Sequence, residues 1–283
     1  MRIDLHAHST ASDGTLTPGE LVAAGAEAGL DVLAITDHDT TAGWVPAEEA
    51  RPAGLALVRG AELSCRWYGR VPAIPLHLLA YLFDPAEPAL VAEQARVRRG
   101  REERAQRIVE LLRADGVDVT WDEVHGYAAG GTVGRPHVAR ALIRAGLVAD
   151  TDEAFEDRWL GERYRVPKED TDVFEAVRLV RAAGGVPVFA HPKATKRGKV
   201  VPDSLIMELA AAGLFGLEAD HEAHSPAERE HVRGLATDLG LVVTGSSDFH
   251  GTHKQVKLGA YTTDADAYEA IVAAASGVPV LGP

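Results

Sequence analysis

Residues 3–39 read IDLHAHSTASDGTLTPGELVAAGAEAGLDVLAITDHD. Residues 3–5 form a short apolar run that ends in His6-Ala7-His8. Thr17-Pro18-Gly19-Glu20 then supplies an N-cap, a proline at the first helical position and a glutamate three residues after the cap, and Gly29 closes the helix. Residues 32–35 form a second apolar run that ends in Thr36-Asp37-His38-Asp39. Strand, capped helix and strand recur outward from this unit. Further apolar runs lie at 55–58, 76–82, 186–190, 214–217 and 241–243, and Ser225-Pro226-Ala227-Glu228 repeats the helix-start device. This alternation predicts an α/β fold with a parallel sheet and outer helices, either a closed barrel or an open doubly wound sheet.

The rhythm breaks between residues 88 and 167, which read as helices, including the arginine-rich stretch 94–113 and the segment 137–145. The expected organisation is a barrel or sheet domain from 1–87 and 168–283 that carries a small inserted helical module at 88–167. Glu102, Glu103 and Glu110 interleave with the arginines, so this helix is expected to present a solvated face rather than an RNA patch.

A chain of 283 residues with 46% hydrophobic and 25% charged residues can bury a sizeable core, which excludes a disordered chain or a disulfide knot. The net charge of −13 argues against a protein that grips long duplex nucleic acid. Cys65, the single cysteine, allows no intramolecular disulfide and no thiolate cage, and reads as a small packed residue. With no apolar run of 18 residues and no signal-like N-terminus, the expectation is a cytoplasmic protein without membrane contact. Oligomeric state is not legible.

The chemistry lies in the histidines, of which there are twelve. His6 and His8, two apart on a strand, point to one face, with Asp13 following in the loop. His38 follows the second run, Glu62 the third and His191 the run at 186–190. Asp248 and His250 follow the last, and His77 sits inside an apolar strand. Parallel α/β folds place their sites where strands end. Nine such groups exceed one coordination sphere. Two or three divalent ions fit better, and imidazole with carboxylate suits manganese, iron or zinc. Such ions would leave the pocket positive enough for a phosphate despite the acidic chain.

In order along the chain, H-A-H-S-T-A-S-D-G, T-D-H-D-T, G-A-E-L-S, A-H-P and S-D-F-H-G resemble the polymerase and histidinol phosphatase (PHP) family of metal-dependent phosphoesterases. The resemblance spans nearly the whole chain. It implies a distorted (β/α)7 barrel with a trinuclear site. One ion would take His6, His8, Glu62 and Asp248, a second Glu62, His77 and His191, and a third Asp13, His38 and His250. Gly134-Arg135-Pro136-His137, and Glu218 with His221, His224, Ser225 and Pro226, are similar to motifs of the branch that hydrolyses the 3'-phosphate of nucleoside 3',5'-bisphosphates and, in some members, short oligoribonucleotides from the 5' end. Where many relatives carry an aromatic before the first of these histidines, this chain has Asp220.

Arg135 offers a planar fork for phosphate oxygens and His137 a neighbouring donor. Ser9 could donate to the same phosphate or cap a turn, Lys168, Lys193 and Lys196 could meet a second phosphate, and His221 or His224 could protonate the leaving alkoxide. His125, His231 and His253 read as surface or structural. The expected reaction is in-line attack of metal-activated water on a phosphate monoester of a small substrate, a nucleotide on the branch resemblance. The rivals are a histidinol-phosphate-type phosphatase, a barrel amidohydrolase and a non-catalytic metal-stabilised interaction module.

Overall fold

The computed structural model describes residues 1–282, and the side chain of His253 lies outside the described residues. The chain runs β1 (Ile3–Asp4), α1 (Pro18–Glu27), β2 (Val32–Ile35), α2 (Trp44–Ala50), β3 (Ala56–Trp67) and β4 (Ile74–Tyr81). The helices α3 (Pro88–Ala114), α4 (Trp121–Ala128), α5 (Arg135–Arg144) and α6 (Thr151–Ala154) follow. Then come β5 (Thr171–Asp172), α7 (Val173–Ala182), β6 (Val186–Phe189), α8 (Asp203–Ala211), β7 (Gly216–Asp220), α9 (Pro226–Leu239), β8 (Val242–Gly245) and α10 (Ala265–Ala274). The predicted capping box at Thr17 and Glu20 forms, as does its repeat at Ser225 and Glu228.

Seven strands follow the path β1-β2-β3-β4-β6-β7-β8, with β5 added beside β3. Past the ends of β1 and β8, Ala7 and Phe249 form a parallel bridge, and His8 N donates to Phe249 O at 2.9 Å. The sheet is therefore a nearly closed barrel. Every residue of β2 is buried. Alternation sends Leu33 and Ile35 into the cluster shared with the helix residues Leu21 and Val22, and Val32 and Ala34 into the one shared with Ile271 of α10.

Two expectations change here. Residues 76–82 do not form another parallel strand, because β4 is antiparallel to both β3 and β6. Six residues separate β3 from β4, too few for a helical crossover but enough for a hairpin. Consequently Glu62 does not follow a strand: β3 continues through it to Trp67. This long strand, parallel to β2 at its start and antiparallel to β4 beyond, is the distortion of the barrel.

The stretch 88–167 holds α3 to α6 and a single π-turn at Asp157–Gly161. It builds a separate apolar cluster around Ile108, Leu112, Val124, Val138, Leu142 and Leu160. The helix α3 serves both bodies. Its buried residues 90, 94, 97, 101, 105, 108 and 112 follow the helical period, with Leu90 in the barrel cluster and Leu112 in the helical one. Arg101 sits in the middle of that stripe and is buried, so the solvated face expected for 94–113 does not include it. Among the described residues no helix is long and apolar enough to cross a membrane.

Candidate metal centre

The loops after β1, β2, β6 and β8 converge on the middle of β3, and they do so through unusual backbone. Asp39, His191 and Asp248 have φ of 55°, 34° and 52°, in the left-handed region that non-glycine residues adopt only at a cost of roughly 1–2 kcal/mol each. Strain at three positions of one site, each beside or within the histidine and carboxylate cluster, is held by the surrounding hydrogen bonds.

Glu62 stands at the centre. Its Oε1 faces His77 Nδ1 at 2.6 Å and His191 Nε2 at 3.2 Å. Its Oε2 faces His6 Nε2 at 3.2 Å, His8 Nε2 at 3.1 Å and His38 Nδ1 at 3.3 Å. Asp248 Oδ1 lies 3.3 Å from both His6 and His8. On the far side, Asp13 is 3.5 Å from His250 and 3.7 Å from both His8 and His38. Three sets bring one donor atom from each member within 4.8 Å of the others: His6, His8, Glu62 and Asp248; His8, Asp13, His38 and His250; and His38, Glu62 and His77. His191 touches Glu62 but lies outside these sets.

The donors fit divalent cations. Asp13 Oδ1, Asp248 Oδ1, His38 Nδ1 and His77 Nδ1 are buried without a hydrogen-bond partner, an arrangement a cation would relieve. Electrostatics agree. Burial opposes ionisation of Glu62, Asp13 and Asp248, yet the imidazoles beside each, with Lys254 beside Asp248, hold all three well below the usual carboxylate range. Burial pushes His38 and His191 well below an ordinary imidazole and, helped by Lys254 and His8, takes His250 to about 4. Burial is overcome at His8, which Asp248 and Glu62 raise to about 9, and at His6, which Glu218, Glu62 and Asp248 hold well above the ordinary range. Ionised carboxylates and neutral rings suit metal ligation, and positive charge is favoured between them.

A ring of buried carboxylates orients this set. Glu218 accepts from His6 Nδ1 at 3.0 Å and from His191 N at 3.0 Å, fixing one ring and one backbone. Asp37 accepts from Ser9 N, Ser9 Oγ and Ser12 Oγ at 2.7–2.8 Å, which shapes the loop carrying Asp13. Asp39 accepts from Ser64 N and from Arg101 Nε, each at 2.7 Å, and Arg101 also donates to Ser64 Oγ at 2.6 Å. Arg197 and Lys254 donate to Asp248 at 3.1 and 2.5 Å. Sequence reading assigned no role to Asp37, Asp39, Arg101, Arg197 and Lys254, although Asp37 and Asp39 flank His38 in the T-D-H-D-T motif and Arg101 lies in the buried stripe of α3.

The helical region reaches the centre through the loop before α5. Thr132 N donates to Ala11 O at 2.8 Å, and a Cβ on Gly131 would lie 2.5 Å from Thr10 O, so only glycine allows this seating. A Cβ on Gly134 would lie 3.5 Å from an Arg101 guanidinium nitrogen and 3.9 Å from Asp13 Oδ2. The head of α5 is thus beside the cluster. His137 is buried there, and its Nδ1 accepts from Gly134 N at 2.9 Å. Arg135 makes a long 3.4 Å contact to Leu160 O and lies 5.0 Å over the Phe155 ring.

Several side chains expected at the substrate are engaged elsewhere. Ser9 is buried and its hydroxyl donates to Asp37, which favours the turn-capping alternative over phosphate contact. Lys193 donates to Val201 O at 2.6 Å and pairs with Asp203 at 2.5 Å. Lys168 pairs with Asp170. His224 spends both ring nitrogens on backbone, Nδ1 on Ala219 O at 2.8 Å and Nε2 on Lys193 N at 3.2 Å, so it has no proton to give a substrate. His221 differs. Its Nδ1 accepts from Ala223 N at 2.9 Å, which leaves the proton on Nε2, 3.2 Å from Asp248. Asp220 pairs with Arg233.

Comparison with known proteins places this geometry. The family model described as the PHP domain matches residues 4–125. A 5'-3' exoribonuclease of Haemophilus influenzae is 36% identical over 91% of this chain and 93% of its own. A 3',5'-nucleoside bisphosphate phosphatase of Chromobacterium violaceum is 35% identical over 88% of this chain and 87% of its own. A Bifidobacterium adolescentis protein crystallised as a candidate metal-dependent phosphoesterase superposes with a TM-score of 0.90 at 35% identity, covering 97% of this chain and 96% of that one. With the barrel, the buried donor set and full-length relatives in agreement, the chain belongs to the PHP family and is a metal-dependent hydrolase of phosphate esters.

Proposed function

We propose that this hydrolase removes the 3'-phosphate from nucleoside 3',5'-bisphosphates, giving the nucleoside 5'-phosphate and phosphate, and also accepts short 5'-phosphorylated oligoribonucleotides. The observation that carries the reading is the placement of the α5 head, with Arg135 and His137, beside a cluster of nine imidazole and carboxylate groups. The names of the Haemophilus and Chromobacterium relatives support the substrate class.

In this reading the barrel comprises 1–87 and 168–283, and the module 88–167 covers its mouth. His6, His8, Glu62 and Asp248 would hold one ion, Glu62, His77 and His191 a second, and Asp13, His38 and His250 a third, of manganese, iron or zinc. Glu62 is suited to bridging because its two oxygens face different imidazoles. When bound, such ions lower the pKa of water toward neutrality and offset charge on the phosphoryl oxygens. The chain supplies the rest. Arg135 meets phosphate oxygens with its planar fork. His221 carries a proton on Nε2 and delivers it to the departing 3'-oxygen. Glu218 keeps the His6 ring in register.

Elemental analysis of metal-replete protein should find more than one ion per chain, since nine ligands exceed one coordination sphere. One ion or fewer would sink the assignment. For the substrate, turnover of adenosine 3',5'-bisphosphate is compared with adenosine 3'-monophosphate, histidinol phosphate, 5'-phosphorylated short RNA and a simple amide, with manganese and with zinc. The bisphosphate is expected to give the highest kcat/KM. A preference for histidinol phosphate or the amide would reject the substrate reading while leaving the phosphoesterase centre in place.

A further inference from the structure

Positive charge is unevenly placed on this chain. Over much of the surface exposed arginines are matched locally, as Arg107, Arg144, Arg158 and Arg178 each pair with a glutamate. Two segments break that pattern. Residues 191–202, between β6 and α8, hold Lys193, Lys196, Arg197 and Lys199, residues 249–263, after β8, hold Lys254 and Lys257, and neither segment contains a carboxylate. Both reach the metal centre at one oxygen, because Arg197 and Lys254 donate to Asp248 Oδ2. Inward-facing groups anchor the first loop: Lys193 pairs with Asp203, and Thr195 donates through N and Oγ1 to Glu228 at 3.2 and 2.6 Å. The second is held at its start, where Thr252 N donates to Thr15 Oγ1 at 3.0 Å. Lys196, Lys199 and Lys257 are left exposed, with no carboxylate at ion-pair distance among the described residues. On a chain of net charge −13 their positive potential stays local, reaching about one Debye length, roughly 8–10 Å.

We propose that Lys196, Lys199 and Lys257, reached from the metals over Arg197 and Lys254, form a track for the backbone phosphates of an oligoribonucleotide on the 3' side of the cleaved bond. This deepens the proposed function and rests on its oligoribonucleotide half. The same bond breaks in the bisphosphate and in RNA: the oxygen of water joins phosphorus, and the ribose 3'-oxygen leaves and takes a proton. In RNA one further oxygen of that phosphorus carries the next nucleoside, which stays attached and becomes the 5' end of the shortened chain. The site therefore needs an open edge for that chain. The edge beside Asp13 is occupied by the seated loop 131–134 and the head of α5. The edge beside Asp248 lies across the centre from it, since His8 and His250 each face Asp13 through one ring nitrogen and Asp248 through the other. Cations spaced along exposed loops suit a single strand, whose phosphates repeat and whose sequence they do not read. A nucleoside bisphosphate has no phosphate beyond the cleaved one on that side and gains nothing from the track.

The test compares metal-loaded wild type with the double variant Lys199→Glu and Lys257→Glu, on adenosine 3',5'-bisphosphate and on a 5'-phosphorylated pentaribonucleotide. Turnover of the bisphosphate should stay within about twofold of wild type, which also shows that the variant is folded. On the RNA, kcat/KM should fall about tenfold and its dependence on salt should flatten. The pair Lys199→Gln and Lys257→Gln, which removes charge without reversing it, should lose about threefold on the RNA. Equal losses on the two substrates, or RNA turnover with wild-type rate and salt dependence, overturn the track. Should the wild type leave the RNA uncleaved, the oligoribonucleotide half of the proposed function fails. Fluorescence anisotropy of a 3'-labelled pentaribonucleotide then decides the track alone: weaker binding by the Glu double variant supports it and equal binding overturns it.

Discussion

Glu62→Gln is expected to lower kcat/KM by about 10³-fold or more, roughly 4 kcal/mol of transition-state stabilisation, and to release at least one ion per chain. The amide keeps the shape of the side chain, so the cause would be chemical. Each oxygen of Glu62 faces a different set of imidazoles, five in all. A glutamine has one acceptor oxygen, and its NH2 would aim donors where a cation should sit. Elemental analysis and steady-state kinetics on the same preparation check this, with circular dichroism confirming the fold. A variant with its full metal content and near wild-type turnover would show that Glu62 is not a shared ligand.

Arg135→Ala comes second, with an expected loss of about 10²-fold in kcat/KM, roughly 2.7 kcal/mol, and no loss of metal. The fold should tolerate the change, because the guanidinium's contacts are one 3.4 Å approach to Leu160 O and the face of Phe155. Arg135→Lys should recover only part of the loss, since an ammonium cannot make two parallel contacts to one phosphate. Adenosine 3',5'-bisphosphate and adenosine 3'-monophosphate should suffer alike, as expected of a residue at the scissile phosphate. Unaltered turnover in Arg135→Ala would mean that the helical region does not line the reaction site.

The two experiments probe different links in the chain from sequence to chemistry. The clustering of His6, His8, Asp13, His38, Glu62, His77, His191, Asp248 and His250 is legible in the amino-acid sequence, because most lie just beyond short apolar runs and a βα alternation brings such positions to one end of a sheet. The exceptions are instructive. Glu62 and His77 belong to the middle of a long strand and its antiparallel partner, yet they arrive at the same place because Ser64 and His77 pair directly across that hairpin. Residue type and order bring Glu62 into the set, whereas a position beyond a strand end, the local argument for it, does not hold in the fold.

By itself the sequence determined most of the strands, the caps of α1 and α9, the helical character of 88–167 and the set of donors that meet in the fold. These are local properties, written in apolar periodicity, in Ser/Thr-Pro-x-Glu starts and in which residues follow each run. The tertiary structure alone decided which of those donors are free to act. His224 and Lys193 look available in one dimension, but Ala219, Val201 and Asp203 engage their polar atoms. Ser9 looks like a phosphate donor until Asp37, 28 residues away, takes its hydroxyl. Arg101 looks solvated until Asp39, 62 residues away, takes its guanidinium. A hydrogen-bond partner supplied by a distant segment leaves no trace in local pattern, because the pairing energy depends on where the fold sets two chains side by side and not on the residues adjoining either one.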